Sequence, residues 1–274
     1  MIFSHFKRRR GVRFDDGFRH SARELALDPL VATYDAILAT DPTVPVLLQL
    51  TEYRGQQVLW QDPACTVPVE EIGDPIGGVR HPETGEILVV QDTDADRPVW
   101  GGREVGAEFD GEIHHLFRTD TDEIPSGQSY GNIFATNRLK SGPSRILNTN
   151  NGDFTSDKGR IFMQRRGLGE RFFWRDDSGD RLDIRPPNPG GGVFQYQAAM
   201  YNAETPGGEY WLNGELHTEE PLDAPLDDIT QTVPVAFGGP FASFGGFIRF
   251  WVSYIGDPVP HSDLAKITSI GNEQ

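Results

Sequence analysis

Cysteine and long apolar stretches are scarce in this sequence of 274 residues. Cys65 is its one cysteine, which excludes an intrachain disulfide framework and a zinc site built from several cysteines. Only the stretch 237–256 approaches membrane-spanning length, and it contains five Gly, a Pro and Arg249. Its second half alternates between apolar and other residues, so we expect strands there and no membrane span.

Turn-forming residues are abundant, with 31 Gly and 20 Pro, too many for a helix bundle or a coiled coil. Alternation with a period of two is typical of half-buried antiparallel strands. It runs through residues 181–185, 193–200 and 247–254. In the last of these, the pattern predicts that Phe250 and Val252 face the core of a sandwich and that Arg249 faces solvent.

Turn signals separate these alternating runs, as hairpins require. They lie at residues 176–180, at residues 205–208 and at Asn213-Gly214, a type I′ signal. Strands at this spacing with little helix between them predict an all-β fold, a two-sheet antiparallel sandwich over residues 46–274.

The N-terminal segment, residues 1–45, has a different character. Residues 1–23 hold seven Lys or Arg with interleaved Phe. Asp28-Pro29 then predicts the capped start of a short amphipathic helix that ends before Asp41-Pro42. We expect this segment to attach the protein to a partner or to another copy of itself. The proposed assembly residues are Lys7, Arg8, Arg9, Arg10, Phe14 and Phe18.

The charge is also unevenly distributed. The formal net charge is −16, with about −21 outside the basic arm. Because an acidic body repels phosphate backbones, we expect no specific nucleic-acid binding. The basic run near the N-terminus is followed by Gly-Val-Arg-Phe-Asp-Asp and not by an apolar stretch, so we expect no signal peptide.

Four stretches in the second half resemble laminin-G-like domains of the concanavalin A-like jelly-roll type. There, a strand ending in Asn-Gly is followed by a short strand ending in Gly, a Phe-x-Gly strand and a final helical turn. The matching stretches are residues 210–216, 235–238, 244–252 and 264–267. The resemblance implies a jelly roll.

Earlier stretches resemble the version of this domain found in structural proteins of tailed bacteriophages and gene transfer particles. They are residues 59–69, residues 73–77, Arg97-Pro98 and residues 109–111. The resemblance implies a fibre, spike or decoration component at the particle surface, with other virion proteins as partners and a homo-oligomeric state. Attachment to cell-surface glycan is the binding role we expect, and a ligand-free decoration protein is an alternative.

A second alternative is a polysaccharide-cleaving enzyme. The stretch Glu108-Phe109-Asp110-Gly111-Glu112 resembles the Glu-x-Asp-x-Glu strand of laminarinases and lichenases. Strand alternation would place Glu108, Asp110 and Glu112 on one face, as a nucleophile and acid/base pair require. The competing interpretation is an ordinary strand entry with Phe109 in the core and the two Glu in solvent. We favour it, and therefore expect no enzymatic activity.

Cofactor and ligand residues follow from two further patterns. The first three ligand spacings of a calcium loop occur once, and the resemblance to laminin-G-like domains, some of which bind calcium at the rim of the sandwich, implies a second weak candidate. Calcium is the one cofactor that the sequence suggests, and a solvated acidic loop is the alternative at both places. The acids are Asp92, Asp94 and Asp96, and then Asp176, Asp177 and Asp180. Aromatic rings stack on sugar faces, and the Trp in or beside predicted strands are candidates for this role, with a place in the core as the alternative for most of them. These glycan-binding candidates are Trp100, Trp174 and Trp211.

Overall fold

The computed structural model describes residues 28–118, 123–139, 144–148, 160–166, 169–186, 191–230, 236–238 and 244–270. The proposed assembly residues of the basic arm lie outside the described residues. The described residues form antiparallel strands with two α-helices, α1 (Pro29–Leu38) and α2 (His261–Ser269), and a 3-10 turn at Asp94–Asp96.

The strands of the first half, in chain order, are β1 (Val44–Leu47), β2 (Glu52–Tyr53), β3 (Gln56–Gln57), β4 (Leu59–Trp60), β5 (Gly78–Arg80), β6 (Ile87–Val90), β7 (Val99–Trp100), β8 (Ala107–Asp110), β9 (Leu116–Arg118), β10 (Glu123–Ile124) and β11 (Ser129–Arg138). Those of the second half are β12 (Ser144–Asn148), β13 (Arg160–Arg166), β14 (Gly169–Arg175), β15 (Arg181–Ile184), β16 (Gln195–Asn202), β17 (Gly207–Leu212), β18 (Glu215–Pro221), β19 (Ile229–Thr230), β20 (Ala236–Phe237) and β21 (Gly245–Gly256).

Two large antiparallel sheets make the body. The first sheet has the order β18-β17-β16-β11-β21-β8-β7, with β1 also paired to β21. The second sheet has the order β15-β14-β13-β12-β20-β9-β6-β5-β4. This architecture confirms the predicted all-β, two-sheet antiparallel jelly-roll sandwich. The predicted hairpin turns also lie between strands, and Asn213 and Gly214 both have positive φ, as a type I′ turn needs.

Aromatic rings fill the space between the two sheets. Phe172 of β14 stacks on Phe134 of β11 with ring centroids 6.2 Å apart, and it lies 5.1 Å from the ring of Tyr210. Gly208 lets the sheets approach, since a Cβ there would lie 2.5 Å from Leu182 and 2.6 Å from Ile184. The sandwich core therefore lies between β11, β16 and β17 on one side and β14 and β15 on the other.

A helical layer covers the opposite face of the first sheet. Helix α1 begins at Asp28, whose carboxylate accepts a hydrogen bond from the Leu30 N–H at 2.9 Å. Its Tyr34 side chain is fully buried, and the Tyr34 hydroxyl accepts the Gln49 N–H at 3.1 Å. Burial raises the pKa of that hydroxyl. Helix α2 contributes Leu264 and Ile267 to the same hydrophobic core.

The helix that the sequence predicted after the basic arm is confirmed at residues 29–38, and it packs on the jelly roll. Val31, Tyr34 and Ile37 belong to one continuous core with the strands, and β1 pairs with β21. The domain boundary predicted between residues 45 and 46 therefore crosses a single core. Residues 28–45 are structurally part of the jelly roll.

Strand β21 differs from its sequence prediction in the direction its residues face. Phe250 and Val252 are buried as predicted. Trp251, however, pairs with Phe134, and cross-strand partners share a face. Trp251 thus faces the second sheet with Phe134, whereas Phe250 and Val252 face the helical layer. The predicted face was wrong because the sequence pattern does not show that a third layer exists.

Arg249 lies where the register between β11 and β21 shifts, beside Ala135 and Thr136. Its guanidinium carbon is 3.7 Å from the centroid of the Phe194 ring, and its Nη2 donates to the Glu104 carbonyl at 2.7 Å. The side chain is half-buried, so the predicted solvent-facing Arg249 packs along the sheet surface.

Within the described residues, no helix is both long enough and apolar enough to cross a membrane.

Candidate functional site

The three Trp predicted to stack on sugars lie in the core. Trp100, Trp174 and Trp211 are 8%, 1% and 6% exposed, respectively. A sugar ring stacks on an exposed aromatic face, and the faces of these three rings are covered by other residues. The prediction that they are stacking platforms is therefore wrong. Trp211 nevertheless lies beneath the cleft described below, where its indole N–H has a specific role.

The carboxylates of the alternative enzyme prediction do not share a strand. Glu108 and Asp110 lie on the exposed face of β8, with Phe109 buried between them. The chain then turns at Gly111, which has a φ of 75°, so Glu112 leaves the strand. Asp110 Oδ1 accepts the N–H groups of Glu112, Ile113 and His114 at 2.8, 3.0 and 3.0 Å.

These bonds make Asp110 a turn-forming residue. Its partial burial raises the pKa, but the three N–H donors outweigh that effect and hold the pKa of Asp110 below its usual value. A general acid needs the opposite shift. The geometry predicted for a nucleophile and acid/base pair is therefore not formed, and Phe109 occupies the core position of the competing interpretation.

The second set of calcium candidates closes the turn between β14 and β15. Asp176 is buried, and its Oδ1 accepts the N–H groups of Gly179 and Asp180, both at 2.8 Å. Its Oδ2 accepts the Asp227 N–H at 2.8 Å. Asp177 Oδ1 accepts the Thr230 N–H at 3.2 Å. The oxygens that would bind an ion here are hydrogen-bonded to the main chain, whereas Asp180 is exposed.

The first set of calcium candidates lies in and beside the 3-10 turn. Asp92, Asp94 and Asp96 flank or form that turn, and Asp94 pairs with Arg97 at 2.7 Å. Across the described part of the chain, no group of three or more His, Cys, Asp or Glu side chains is arranged to hold a metal ion. Neither aspartate set therefore forms a three-ligand site.

A pair of adjoining depressions opens at the β18 edge of the first sheet, and we name them together the edge cleft. The larger, of about 420 Å³, lies between the β16–β17 turn and β18. The smaller, of about 180 Å³, lies between that turn and the start of α2. Asn202 and Glu209 line both. The edge cleft is defined by Asn202, Pro206, Glu209, Glu219, Glu220, Pro221 and His261.

The local sequence explains why the cleft forms. Asn202 ends β16, and its Oδ1 accepts the N–H groups of Glu204 and Thr205 at 2.9 and 3.2 Å, which fixes the turn. Gly207 starts β17, where a Cβ would lie 2.9 Å from the Glu220 carbonyl oxygen. The absence of that side chain lets β18 approach β17 and leaves the open space above the turn.

Glu209 is the most constrained charged group of the cleft. Its side chain is 16% exposed, its Oε2 accepts the Trp211 indole N–H at 3.0 Å, and its Oε1 lies 2.9 Å from His261 Nε2. The His261 ring meets the Trp211 ring edge-on at a centroid distance of 5.2 Å. Trp211 and His261 thus hold the Glu209 carboxylate in one orientation.

The rim of the edge cleft is acidic. Glu219 pairs with Glu209 across the strands and Glu220 pairs with Gly208, and both Glu are exposed. Carboxylates accept hydrogen bonds from hydroxyl and amine groups, and they repel anions. Pro206 and Pro221 add apolar surface. The cleft is therefore suited to a neutral polyhydroxyl compound or to one that carries an amine.

None of the acidic cleft residues was among the site residues predicted from sequence. Glu219 and Glu220 look like the charges that protect any exposed edge strand. His261 is 52 residues from Glu209, so sequence spacing alone does not bring them together. One sequence feature pointed to this region: Trp211 was among the predicted site residues, but as a ring that stacks on a sugar.

Comparisons with known proteins identify the fold. No protein-family model matches the chain, and no curated protein does. Among solved structures, the receptor binding domain of botulinum neurotoxin D aligns with a TM-score of 0.52 and 9% identity, covering 84% of this chain and 53% of that one. The botulinum neurotoxin serotype D ligand binding domain in complex with N-acetylneuraminic acid aligns with a TM-score of 0.51 and 10% identity, covering 85% of this chain and 52% of that one.

The CBM40 domain of a Ruminococcus gnavus sialidase, solved with α2,3-sialyllactose, aligns with a TM-score of 0.45 and 20% identity, covering 52% of this chain and 82% of that one. The two neurotoxin alignments, with TM-scores above 0.5, establish a shared fold. At identities this low, the ligand has to be argued from the site. The chain thus has the jelly-roll fold of these domains.

Proposed function

We propose that this protein is a glycan-binding jelly roll that is displayed on the surface of a tailed-bacteriophage or phage-like particle. The observation that carries the binding part is the edge cleft, in which Glu209 is held by Trp211 and His261 beside two exposed carboxylates. Such a preset acceptor binds a hydroxyl group with little loss of side-chain freedom.

The chemistry of the cleft favours a neutral or amine-bearing sugar. Glu209, Glu219 and Glu220 line the larger depression, and their negative charge repels a carboxylated sugar. The sugar-bound relatives in fold support the broad class of ligand. They do not carry over the particular sugar, because ligand choice depends on the site.

The role is binding and not catalysis, and it needs no cofactor. The strand-and-turn geometry at Asp110 lacks an opposed acid and nucleophile, and the Asp176 oxygens accept main-chain N–H groups where a calcium ion would bind. Both features favour a lectin-like function over a metal-dependent or hydrolytic one.

The particle part of the proposal rests on the sequence. The motifs at residues 59–69 and 73–77 resemble phage structural proteins, and the arm of residues 1–23 combines seven basic residues with Phe, in contrast to the acidic remainder. Such an arm suits attachment to an acidic neighbour, either another virion protein or a second copy.

A glycan array probed with wild-type protein tests the binding proposal, with Glu209→Gln and Glu219→Gln as site variants. Glu52→Gln is the matched control, because Glu52 is exposed and lies on the separate β2–β3 hairpin. We expect the two site variants to lose binding to the wild-type glycans about tenfold, and the control to retain it. Absence of wild-type binding to every neutral and amine-bearing glycan would overturn the proposal.

A further inference from the structure

Four apolar side chains lie at the end of the first sheet that is farthest along β16 from the edge cleft. We name Leu139, Val193, Phe194 and Phe247 together the apolar patch. Leu139 and Val193 are 59% and 60% exposed, and Phe194 and Phe247 are half-buried. A group of large apolar side chains that stays open to solvent marks an interaction surface.

The strand register shows which face of the sheet carries the patch. Phe247 of β21 is the cross-strand partner of Asn137 in β11 and of Glu108 in β8. Cross-strand partners share a face, and Glu108 is exposed, so Phe247 lies on the face turned away from the second sheet. Leu139 follows Asn137 by two residues, and strand alternation gives it the same face.

The segment before β16 contributes the other two side chains. The Gly192 N–H donates to the Arg138 carbonyl at 3.2 Å, which places Val193 and Phe194 beside the end of β11. The Arg249 guanidinium carbon lies 3.7 Å from the centroid of the Phe194 ring and covers one side of it. The patch therefore spans β21, the end of β11 and the approach to β16.

Acidic side chains border the apolar patch. Glu108 lies beside Phe247 across the strands. Asp110 is the cross-strand partner of Gly245, whose carbonyl accepts the Leu139 N–H at 3.0 Å. Both acids are exposed. An apolar surface bordered by carboxylates is complementary to a segment that is both apolar and basic.

The N-terminal arm joins the described chain close to this surface. Asp28, the first described residue, forms an ion pair with Arg103. The next residue, Glu104, accepts Arg249 Nη2 at its carbonyl at 2.7 Å. Arg249 is the side chain that lies over Phe194. The chain that precedes Asp28 therefore starts beside the apolar patch.

We propose that the apolar patch binds the N-terminal arm, residues 1–27, of a second copy, so that two copies exchange arms. This role rests on the proposed attachment function of the arm, since an arm held by its own copy would attach nothing. Phe14 and Phe18, each next to an arginine, supply the apolar contacts, and the positive charge of the arm faces the bordering carboxylates. Phe18 is ten residues from Asp28, which allows a reach of about 30 Å. Reciprocal exchange closes a two-fold dimer.

Sedimentation velocity of the full-length protein over a range of concentrations tests this exchange. The patch variant is Leu139→Gln/Val193→Gln, which removes apolar surface at exposed positions and leaves the charge unchanged. The matched control is Val67→Gln/Leu216→Gln, at positions 48% and 37% exposed near β4 and on β18. We expect wild type and control to dimerise, and the dissociation constant of the patch variant to rise at least about tenfold. Added salt should weaken the wild-type dimer.

A second variant, Phe14→Ala/Phe18→Ala, distinguishes a failure of the exchange from a failure of the attachment function. We expect it to lose the dimer as the patch variant does. Loss of the dimer in the arm variant alone would overturn binding at the patch and leave the arm as an attachment segment. A dimer that persists in both variants would overturn both proposals. A wild-type protein that stays monomeric would also overturn the exchange, and faster trypsin cleavage of the arm in the patch variant would then indicate that each arm binds its own copy.

Discussion

Thr40 Oγ1 lies 2.7 Å from the hydroxyl oxygen of Tyr254, although 214 residues separate the two in sequence. The contact joins the turn after α1 to the last part of β21, which ends at Gly256. Burial raises the pKa of Tyr254 to about 12, so its hydroxyl stays protonated and able to share this hydrogen bond throughout the neutral range. The segment that follows α1 is therefore hydrogen-bonded to β21 of the first sheet.

The first prediction is that residues 1–27 are needed for assembly but not for folding, whereas residues 28–45 are needed for folding. Deletion of residues 1–27 should leave the free energy of unfolding within about 1 kcal/mol of wild type. Deletion of residues 1–45 should cost at least about 5 kcal/mol, because Val31, Tyr34 and Ile37 leave the core and β1 loses its first two residues. Urea unfolding followed by tryptophan fluorescence measures both values.

The shorter deletion also tests the arm. A folded protein lacking residues 1–27 should no longer incorporate into particles or oligomers. If it assembles like wild type, the arm is not the attachment segment. If deletion of residues 1–45 gives an equally stable protein, α1 is not part of the core.

A second prediction concerns the two faces of the first sheet. Phe250→Ala should cost about 3–5 kcal/mol by leaving a cavity beneath the helical layer, and Phe134→Ala a similar amount between the sheets. Amide hydrogen exchange distinguishes them. Phe250→Ala should increase exchange in α1, and Phe134→Ala in β14. Faster exchange in β14 for Phe250→Ala and in α1 for Phe134→Ala would show that Phe250 faces the second sheet and Phe134 the helical layer.

A third prediction is a pH dependence set by Asp183. Burial alone raises the pKa of Asp183, but hydrogen bonds from Arg171 and Arg185 outweigh it and hold the pKa at about 2, below the ordinary 3.8. The carboxylate therefore contributes stability above pH 3.8, and the contribution is lost as the pH falls to about 2.

Asp183→Asn removes that contribution. The free energy of unfolding of wild type should thus fall more steeply than that of Asp183→Asn across this window, and both proteins should show parallel profiles above it. Asp94→Asn serves as a control, because the Asp94 side chain is 87% exposed. Identical slopes for wild type and Asp183→Asn would contradict the proposed ion-pair network.

A fourth prediction is that Glu108 has no catalytic role. Neither wild-type protein nor Glu108→Gln should release reducing sugar from laminarin or lichenan, because Gly111 removes Glu112 from the strand of Glu108. A wild-type activity that Glu108→Gln abolishes would establish the hydrolase alternative.

Local signals in the sequence were sufficient for several elements of the fold, though not for most strands of the first half. The Asp28-Pro29 cap gave the start of α1, and Asn213-Gly214 gave a hairpin, because these features depend on residues close together in the chain. The face of Phe250 could not be obtained this way. A period of two shows that opposite faces differ, but not that a helix covers one of them.

The candidate site was even less accessible to sequence reasoning. Glu209, Glu219 and His261 come together only when β17, β18 and α2 are packed. Trp211 was singled out because aromatic rings in or beside strands can stack on sugars, yet it is buried and instead donates a hydrogen bond that orients Glu209.

Nuclear magnetic resonance titration of ¹⁵N-labelled full-length protein with the best ligand from the glycan array tests glycan binding in the edge cleft most directly. We expect the largest amide shift changes at residues 202–209, 218–221 and 259–262. Glu209→Gln should reduce these changes at equal ligand concentration. Shift changes centred on Glu108 and Asp110, or the absence of any saturable change, would contradict a binding site in the edge cleft.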